Sequence, residues 1–523
     1  MVHASGIARP FEVSADGRGM TGRAGLSLVA QLADRVGLTG QLRRTIGGCR
    51  GWREHDPAKV VRDLVLTLAD GGDALRHLKV LAGQPELFGE IASAATANRT
   101  IIALAERELV IEELTDALRV ARQGVWQAPG GAPPAVAAAL AAERAGEHEM
   151  AGEHEEGKEG KERVWRLYVD IDGTLIGCQN DDRDGLRWAA ATYKRTFGTY
   201  PLLVYLSRGD GLREALVALH RPGSAGSNTA ADHIEVFEMA LGTLPALPGR
   251  VKLVVRTDAA GATKELLAYL RQAGVEFSVG FAIGEAVRKA IRTLTDKDWV
   301  PARRQDGKLR QGAAVAEITD NPWINLGDYP QGSRLLVRRE PLHPGAQQTL
   351  FDIDGARFTA FLTDQPDPWD AVADGTHPGH AHDPLDQALA GDTLAGDTLA
   401  GGLGGLAGLD LCQREHAQVE DGIRGAKDSG ARNLPCETFE RNAVWLQLVM
   451  MAQTLMAWTQ ALTLDGQLRL AEPHALRYKL FHTPARIARS GRKVRLRVQH
   501  DWPWAAQLVA AFDRLWQLPV PAT

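Results

Sequence analysis

A chain of 523 residues is too long for one small core, and roughly two to four domains are expected. Its hydrophobic content of 44% and charged content of 24% are ordinary for a soluble protein. The net charge of −5 does not announce a nucleic-acid binder, so any such role must rest on local patches.

In chain order, residues 1–20 look like an irregular arm. No charged start is followed by an apolar stretch, so no signal peptide is expected. Leu28, Leu32, Val36 and Leu42 recur at nearly helical spacing over 25–45. Asp56-Pro57 is a helix start, with Asp as cap and Pro in the first turn, and Val60, Leu64 and Leu68 form one apolar face. Further helical patterns cover 73–82, 96–105 and 108–124. Residues 1–126 are therefore expected as a helical N-terminal domain. DNA binding, dimer formation and plain helical packing all fit that periodicity.

Residues 127–163 change character. Pro129-Gly-Gly-Ala-Pro-Pro134 and an alanine run lead into a tandem repeat, Ala145-Gly-Glu-His-Glu149 and Ala151-Gly-Glu-His-Glu155. Many charges and few large apolar residues predict a flexible linker rather than a metal site. Over 164–295 the pattern becomes α/β. Strands are expected at 164–169, 202–206, 251–258 and 275–281, and helices at 231–244, 262–273 and 284–294. Residues 296–365 favour β residues between turns such as Asp306-Gly307 and Asp354-Gly355, which predicts a β-rich insertion. Residues 366–410 contain a literal repeat, Leu389-Ala-Gly-Asp-Thr393 and Leu394-Ala-Gly-Asp-Thr398, and read as a second flexible linker.

Helices return over 411–470, as segments 411–428 and 438–464. The second is interrupted by Gln447, Gln453, Thr454, Thr459 and Gln460, so it reads as a buried helix rather than a membrane span. Cys49, Cys178, Cys412 and Cys436 lie far apart, which argues against a zinc site or a disulfide framework and fits a reducing cytoplasm. The closing segment 471–523 is basic: 474–500 holds Arg477, Lys479, Arg486, Arg489, Arg492, Lys493, Arg495 and Arg497 with no Asp or Glu before Asp501. Arg495 and Arg497 alternate with Val494, Leu496 and Val498, as in a strand with one basic face.

Chemistry concentrates in Tyr168-Val-Asp-Ile-Asp-Gly-Thr-Leu-Ile176. Asp170 and Asp172 leave a strand on the same side, because side chains alternate faces. Buried acids need a cation or a hydrogen-bond network, and Mg²⁺ suits such sparse carboxylate sites. A solvated turn after a strand is the bland alternative. Asp258 ends a second apolar strand. Two carboxylates at one end of adjacent strands can share metal ions that clamp a phosphodiester. A third acid is available at Glu420, which shares a helix face with Arg424 and Lys427. A surface helix with ordinary charge pairs explains that segment equally well in isolation.

Several stretches together resemble a known group. They are Val169-Asp-Ile-Asp172-Gly-Thr, Tyr193-Lys-Arg-Thr-Phe-Gly198, Leu219-His-Arg-Pro-Gly-Ser-Ala-Gly-Ser-Asn228, Val255-Arg-Thr-Asp258-Ala-Ala-Gly261, Val419-Glu420-Asp-Gly-Ile-Arg-Gly-Ala-Lys427 and Arg432-Asn-Leu-Pro435. The chain resembles a DDE-type insertion-sequence transposase, and within that group the insertion-sequence thirteen-eighty branch. The resemblance spans most of 164–504 and, more weakly, 25–105.

It implies an α/β fold: an RNase H-like mixed sheet with flanking helices, a β-rich insertion and a helical N-terminal domain. It implies catalysis of DNA strand cleavage and transfer by Asp172, Asp258 and Glu420, with Mg²⁺ or Mn²⁺, as two ions, and with Asp170 beside them. It also implies DNA contacts from His416, Arg424, Lys427 and the closing basic segment. The implied partners are duplex DNA, as terminal repeats and target, and a second copy of the chain when assembled on DNA. The implied location is cytoplasmic, with the nucleoid and away from membranes. The family's Tyr-Arg-Glu-Lys signature leaves six residues between Glu and Lys, as Glu420 and Lys427 do. Its Arg falls at His416 and its Tyr at Gln413, two departures for which Arg414 is a candidate substitute.

A rival resemblance is to aspartate-nucleophile phosphohydrolases of the haloacid dehalogenase type, on Asp170-Ile-Asp172-Gly-Thr-Leu175. Its late acidic motif is poor at Gly327-Asp328. A DNA-binding relic without catalysis is the third reading. Base-specific readout is assigned to the N-terminal helices around 84–105, and backbone contact to the basic segment.

Overall fold

The computed structural model describes residues 14–47, 55–149, 164–178, 190–191, 197–226, 229–342, 355–366, 405–491 and 493–519. The 389–398 repeat, the second copy of the 145–155 repeat, the Tyr193-Lys-Arg-Thr196 stretch and Arg492 lie outside them. Most of both expected linkers does too.

A short strand β1 (Met20–Thr21) precedes helices Ala24–Arg35, Leu38–Ile46, Pro57–Ala69, Ala94–Ala105 and Val110–Gln127. The Pro57–Ala69 helix starts as its sequence dictates: Asp56 accepts from the Ala58 amide at 3.0 Å, and Pro57 occupies the first turn. These helices do not close on themselves. They pack around the helix Phe439–Thr463, which is buried almost along its whole length. That helix is apolar on every side because N-terminal helices, the helix Ala505–Gln517 and a strand of the main sheet surround it. One hydrophobic cluster runs from Ala24 to Leu518, so the helices of 1–126 share a core with the rest of the chain rather than owning one.

The main sheet has nine strands. After β2 (Trp165–Gly173) come the short β3 (Ile176–Cys178), β4 (Ala190–Ala191) and β5 (Phe197–Thr199), then β6 (Leu202–Ser207), β7 (Arg213–Leu219), β8 (Val251–Thr257) and β9 (Glu276–Phe281). They are followed by β10 (Val300–Arg303), β11 (Leu309–Glu317), β12 (Arg334–Pro341) and β13 (Ala356–Thr363). The spatial order is β10-β11-β12-β13-β9-β8-β2-β6-β7. β8 lies parallel to both β2 and β9, and every other pair is antiparallel. β14 (Asn433–Leu434) joins β3, β5 and β4 in a small second sheet. β15 (Ala485–Ser490) and β16 (Lys493–Val498) form a third with β1.

Two boundaries read from sequence move. The β-rich stretch 296–365 is not a separate body: β13 pairs with β9, so β10–β13 extend the main sheet. Within 127–163, the alanine run forms the helix Pro134–Glu149, whose Val136 and Ala139 are buried and which lies on β2 and β8. Small side chains allow that close approach, and the composition that suggested a linker is the reason the helix fits.

Glu214 of β7 joins the layers. It is fully buried, with Arg122 at 2.8 Å and Arg208 at 2.6 Å, and accepts from the indoles of Trp126 and Trp458. Burial alone would raise its carboxyl. The two guanidiniums outweigh burial and hold it down at about 2.

Candidate active site

The parallel register of β2 and β8 aligns Asp170 with Arg256 and Ile171 with Thr257. The next residues, Asp172 and Asp258, therefore leave adjacent strands at the same end. Asp258 caps the short helix Ala259–Gly261 and accepts from the Ala260 amide at 2.9 Å. Gly280 of β9 lets this turn sit down, since a Cβ there would lie 2.7 Å from the Ala259 nitrogen.

Asp170 and Asp172 have opposite environments. Asp170 is buried, and the Arg256 guanidinium donates to its two oxygens at 2.8 and 2.9 Å. His416 Nδ1 lies 2.9 Å from the same carboxylate. Burial would raise this acid, but Arg256 and His416 prevail and hold it below the usual carboxylate range. Arg256 also donates to the Cys412 carbonyl at 2.7 Å and lies 4.5 Å from the Tyr168 ring centroid. Asp172 has no cation bonded to it among the described residues. Burial, with the nearby charges of Asp258 and Glu420, pushes its carboxyl up to about 6 against the opposing pull of His416.

Glu420 comes from the helix Val419–Ala426. Gly422 sets that helix against β6, because a Cβ there would lie 2.8 Å from the Tyr205 ring. Asp172 and Glu420 line one groove of about 460 Å³ with Tyr200, Arg424, Lys427 and Arg432. Acids and cations that line one groove suit a metal-assisted phosphodiester. The three carboxylates influence one another, yet among the described residues no three Asp, Glu, His or Cys groups stand close enough to grip one ion. In chemistry, the oxygen donors of Asp172, Asp258 and Glu420 fit a hard divalent cation.

Several residues expected at the site have other work. Both Asp170 oxygens are occupied by Arg256 and His416, so Asp170 is not available as a metal ligand. His416 is buried on Asp170 and does not face a DNA backbone. Arg414 does not take the place of the signature Arg: it donates to Asp410 at 2.9 Å and to the Arg303 carbonyl. Gln413 bonds Ser278 at 2.6 Å and the Thr257 carbonyl at 3.3 Å. Arg477 is buried, donating to the Ala69 carbonyl at 2.8 Å and to Ser429 at 2.8 Å, so it satisfies a helix end rather than DNA. Lys479 sits 5.6 Å from the Trp504 ring centroid, and Arg489 lies 3.4 Å from Glu86. Arg486, Lys493, Arg495 and Arg497 are exposed, while Arg492 is outside the described residues.

Arg256 is the residue that sequence reasoning passed over. Its signal was present: it precedes Asp258 by two, as Asp170 precedes Asp172, so parallel pairing of the two strands sets it against Asp170. Tyr200 joins the groove from the segment before β6, and Arg432 comes from the end of the turn that follows the Glu420 helix, in the Arg432-Asn-Leu-Pro435 stretch.

Among the described residues no helix is long and apolar enough to cross a membrane. A solved structure, the piggyBac transposase synaptic complex with hairpin DNA, is similar over 89% of this chain and 83% of its own, at 9% identity and a TM-score of 0.36. No curated protein matches the chain. The family model for transposase DDE domain group 1 matches residues 4–353 and 409–520, most of the chain. The protein thus belongs to the transposase DDE domain group 1 family.

Proposed function

We propose that this chain cleaves DNA at the ends of an insertion sequence and transfers the freed strand, with Asp172, Asp258 and Glu420 holding Mg²⁺ or Mn²⁺. The observation behind this reading is the crowding of Asp172: a largely buried carboxyl, raised by burial and by the charges of Asp258 and Glu420, in a groove that Arg424, Lys427 and Arg432 also line. The strand order β7-β6-β2-β8-β9, with only β2-β8-β9 parallel, supports an RNase H-like core. The sequence stretches quoted above favour the thirteen-eighty branch.

When bound, a pair of divalent cations supplies charge neutralisation at the attacking and leaving oxygens. The chain's own residues do the rest. Asp172, Asp258 and Glu420 present the oxygen donors. Lys427 and Arg424 lie one helix turn apart and hold phosphate oxygens near them. Asp170, Arg256 and His416 fix the end of β2 against the segment that precedes Glu420, so the acids stay in register. The bound partner is duplex DNA, at the terminal repeats and then at a target, and cutting two element ends calls for two copies of the chain. Exposed cations of β15 and β16 supply attraction that a net charge of −5 does not.

The hydrolase reading needs Asp170 as a free nucleophile, and its oxygens are bonded to Arg256. A DNA-binding relic without catalysis remains the second reading, on the departures at His416 and Gln413, and the nicking test below separates the two.

The test is nicking of a supercoiled plasmid that bears the DNA flanking the coding gene. Cutting should require Mg²⁺ or Mn²⁺ and fall by roughly a hundredfold or more in Asp172→Asn, Asp258→Asn and Glu420→Gln. Wild-type nicking by any of the three would overturn the assignment, as would brisk hydrolysis of a small phosphomonoester.

A further inference from the structure

We infer that the β15–β16 ribbon enters the major groove of duplex DNA and reads base edges there through Arg486, Arg495 and Arg497. This rests on the DNA-binding reading above and adds the groove and the reading side chains.

The ribbon's register runs from Ala485 opposite Val498 to Ser490 opposite Lys493. β1 pairs with Ala485 and Arg486, and Gly19 just before it bonds Ile487, so from Ala488 onward the two strands stand alone. A ribbon of two strands fits the ~12 Å major groove, whose base edges carry the full donor and acceptor code that arginine reads. On one face Arg486 lies directly opposite Arg497, Ala488 opposite Arg495, and Ser490 opposite Lys493. All four cations are exposed, and among the described residues none has an acid partner. Like charges directly opposite one another destabilise a strand pair, so this face awaits a polyanion. The small Ala488 and Ser490 leave the neighbouring Arg495 and Lys493 room to reach a groove floor.

The other face explains the orientation. Ile487, Leu496 and Val498 are half-buried on it, and Arg489 is held near Glu86 at 3.4 Å. The ribbon's root is braced. The Ile487 amide donates to the Gly19 carbonyl at 2.7 Å, and the Trp502 indole donates to the Lys479 carbonyl at 3.0 Å. Tyr478, Trp502 and Trp504 pack edge to face beside it. A braced root gives the arginine forks a defined aim, and Arg pairs bidentately with guanine O6 and N7 in the major groove. The helices around 84–105 are poorer readers: Glu86 and Glu90 are exposed there, and Arg99 is bonded to Thr96 at 3.0 Å.

The experiment is selection of duplexes from a random 20-base-pair pool by the full chain in EDTA, followed by titration on the selected duplex. Replacing its guanines by 7-deazaguanine removes a major-groove acceptor and should weaken binding ~5–150-fold at read positions, the range of one bidentate pair. Hypoxanthine removes only the minor-groove amino group and should change binding less than about twofold. Arg495→Gln and Arg497→Gln should each shift one selected position from guanine to adenine, which Gln reads. An unchanged selected sequence, with affinity lowered equally on all duplexes, would overturn the groove assignment and leave the DNA-binding reading standing. Loss confined to hypoxanthine would also overturn it. Failure of the unaltered chain to retain any duplex would overturn the DNA-binding reading itself, and this inference with it.

Discussion

Asp170→Asn and Asp172→Asn should move stability in opposite directions, although one residue separates them. Asp170 faces the fully buried Arg256, and losing its charge leaves a guanidinium uncompensated. Breaking one partner of a buried pair costs roughly 3–5 kcal/mol. Asp172 is the reverse case. Its carboxyl is raised from 3.8 to about 6, so its ionised form is disfavoured by the fold. A raised acid binds more protons folded than unfolded between those values, so stability falls as pH rises through that window. Above about pH 6 the full penalty stands, roughly 3 kcal/mol at 1.36 kcal/mol per unit. Asp172→Asn removes most of it and should stabilise the metal-free chain by about 1–2 kcal/mol at pH 8, with the gain roughly halved at pH 5. Urea unfolding in EDTA, followed by near-ultraviolet circular dichroism, measures both. Plasmid nicking with Mn²⁺ should be lost in Asp172→Asn despite its greater stability. A destabilised Asp172→Asn in EDTA, or a neutral Asp170→Asn, would refute the division of labour between the two acids.

Other outcomes follow from the same contacts. Glu214→Gln leaves Arg122 and Arg208 buried and should cost roughly 3–5 kcal/mol, whereas Asp328→Asn, in an exposed pair with Lys264, should barely move the midpoint in parallel denaturation curves. Because the Glu214 carboxyl is held down at about 2, its contribution is full above its ordinary value of 4.5 and disappears as pH falls through about 2, which acid titration of the wild type against Glu214→Gln will show. Lys493→Ala should reduce the salt slope of duplex binding by up to about 0.9 per lost phosphate contact, and Arg477→Met should leave that slope unchanged while lowering the urea midpoint. Gly422→Val should lift the Glu420 helix from Tyr205 and depress nicking more than it depresses duplex affinity.

Much of the site was legible locally. Alternation along a strand puts Asp170 and Asp172 on one face, and apolar runs mark β2 and β8 as strands that end in acids. Helical spacing sets Glu420, Arg424 and Lys427 together. Asp56-Pro57 announces its helix, since a cap acts over a few residues. The linker assigned to 127–163 failed at 134–149 because composition cannot report that alanines have a sheet to lie on. The insertion at 296–365 reads as β residues, but its edge pairing with β9 depends on a strand far earlier in the chain.

Residue types and short-range periodicity thus determined which side chains are acids, on which element each lies and which neighbours share its face. Tertiary structure alone decided their roles. Parallel register brings Arg256 to Asp170 and neutralises that acid, while the adjacent Asp172 feels the charges of Asp258 and Glu420 and has no cation bonded to it among the described residues. Burial sends Arg477 to the Ala69 carbonyl and leaves Arg486, Arg495 and Arg497 in solvent. The physical reason is range. Helical and strand periodicity act over a few residues, whereas the charge, dielectric and partners that set an ionisable group's work come from residues hundreds of positions away.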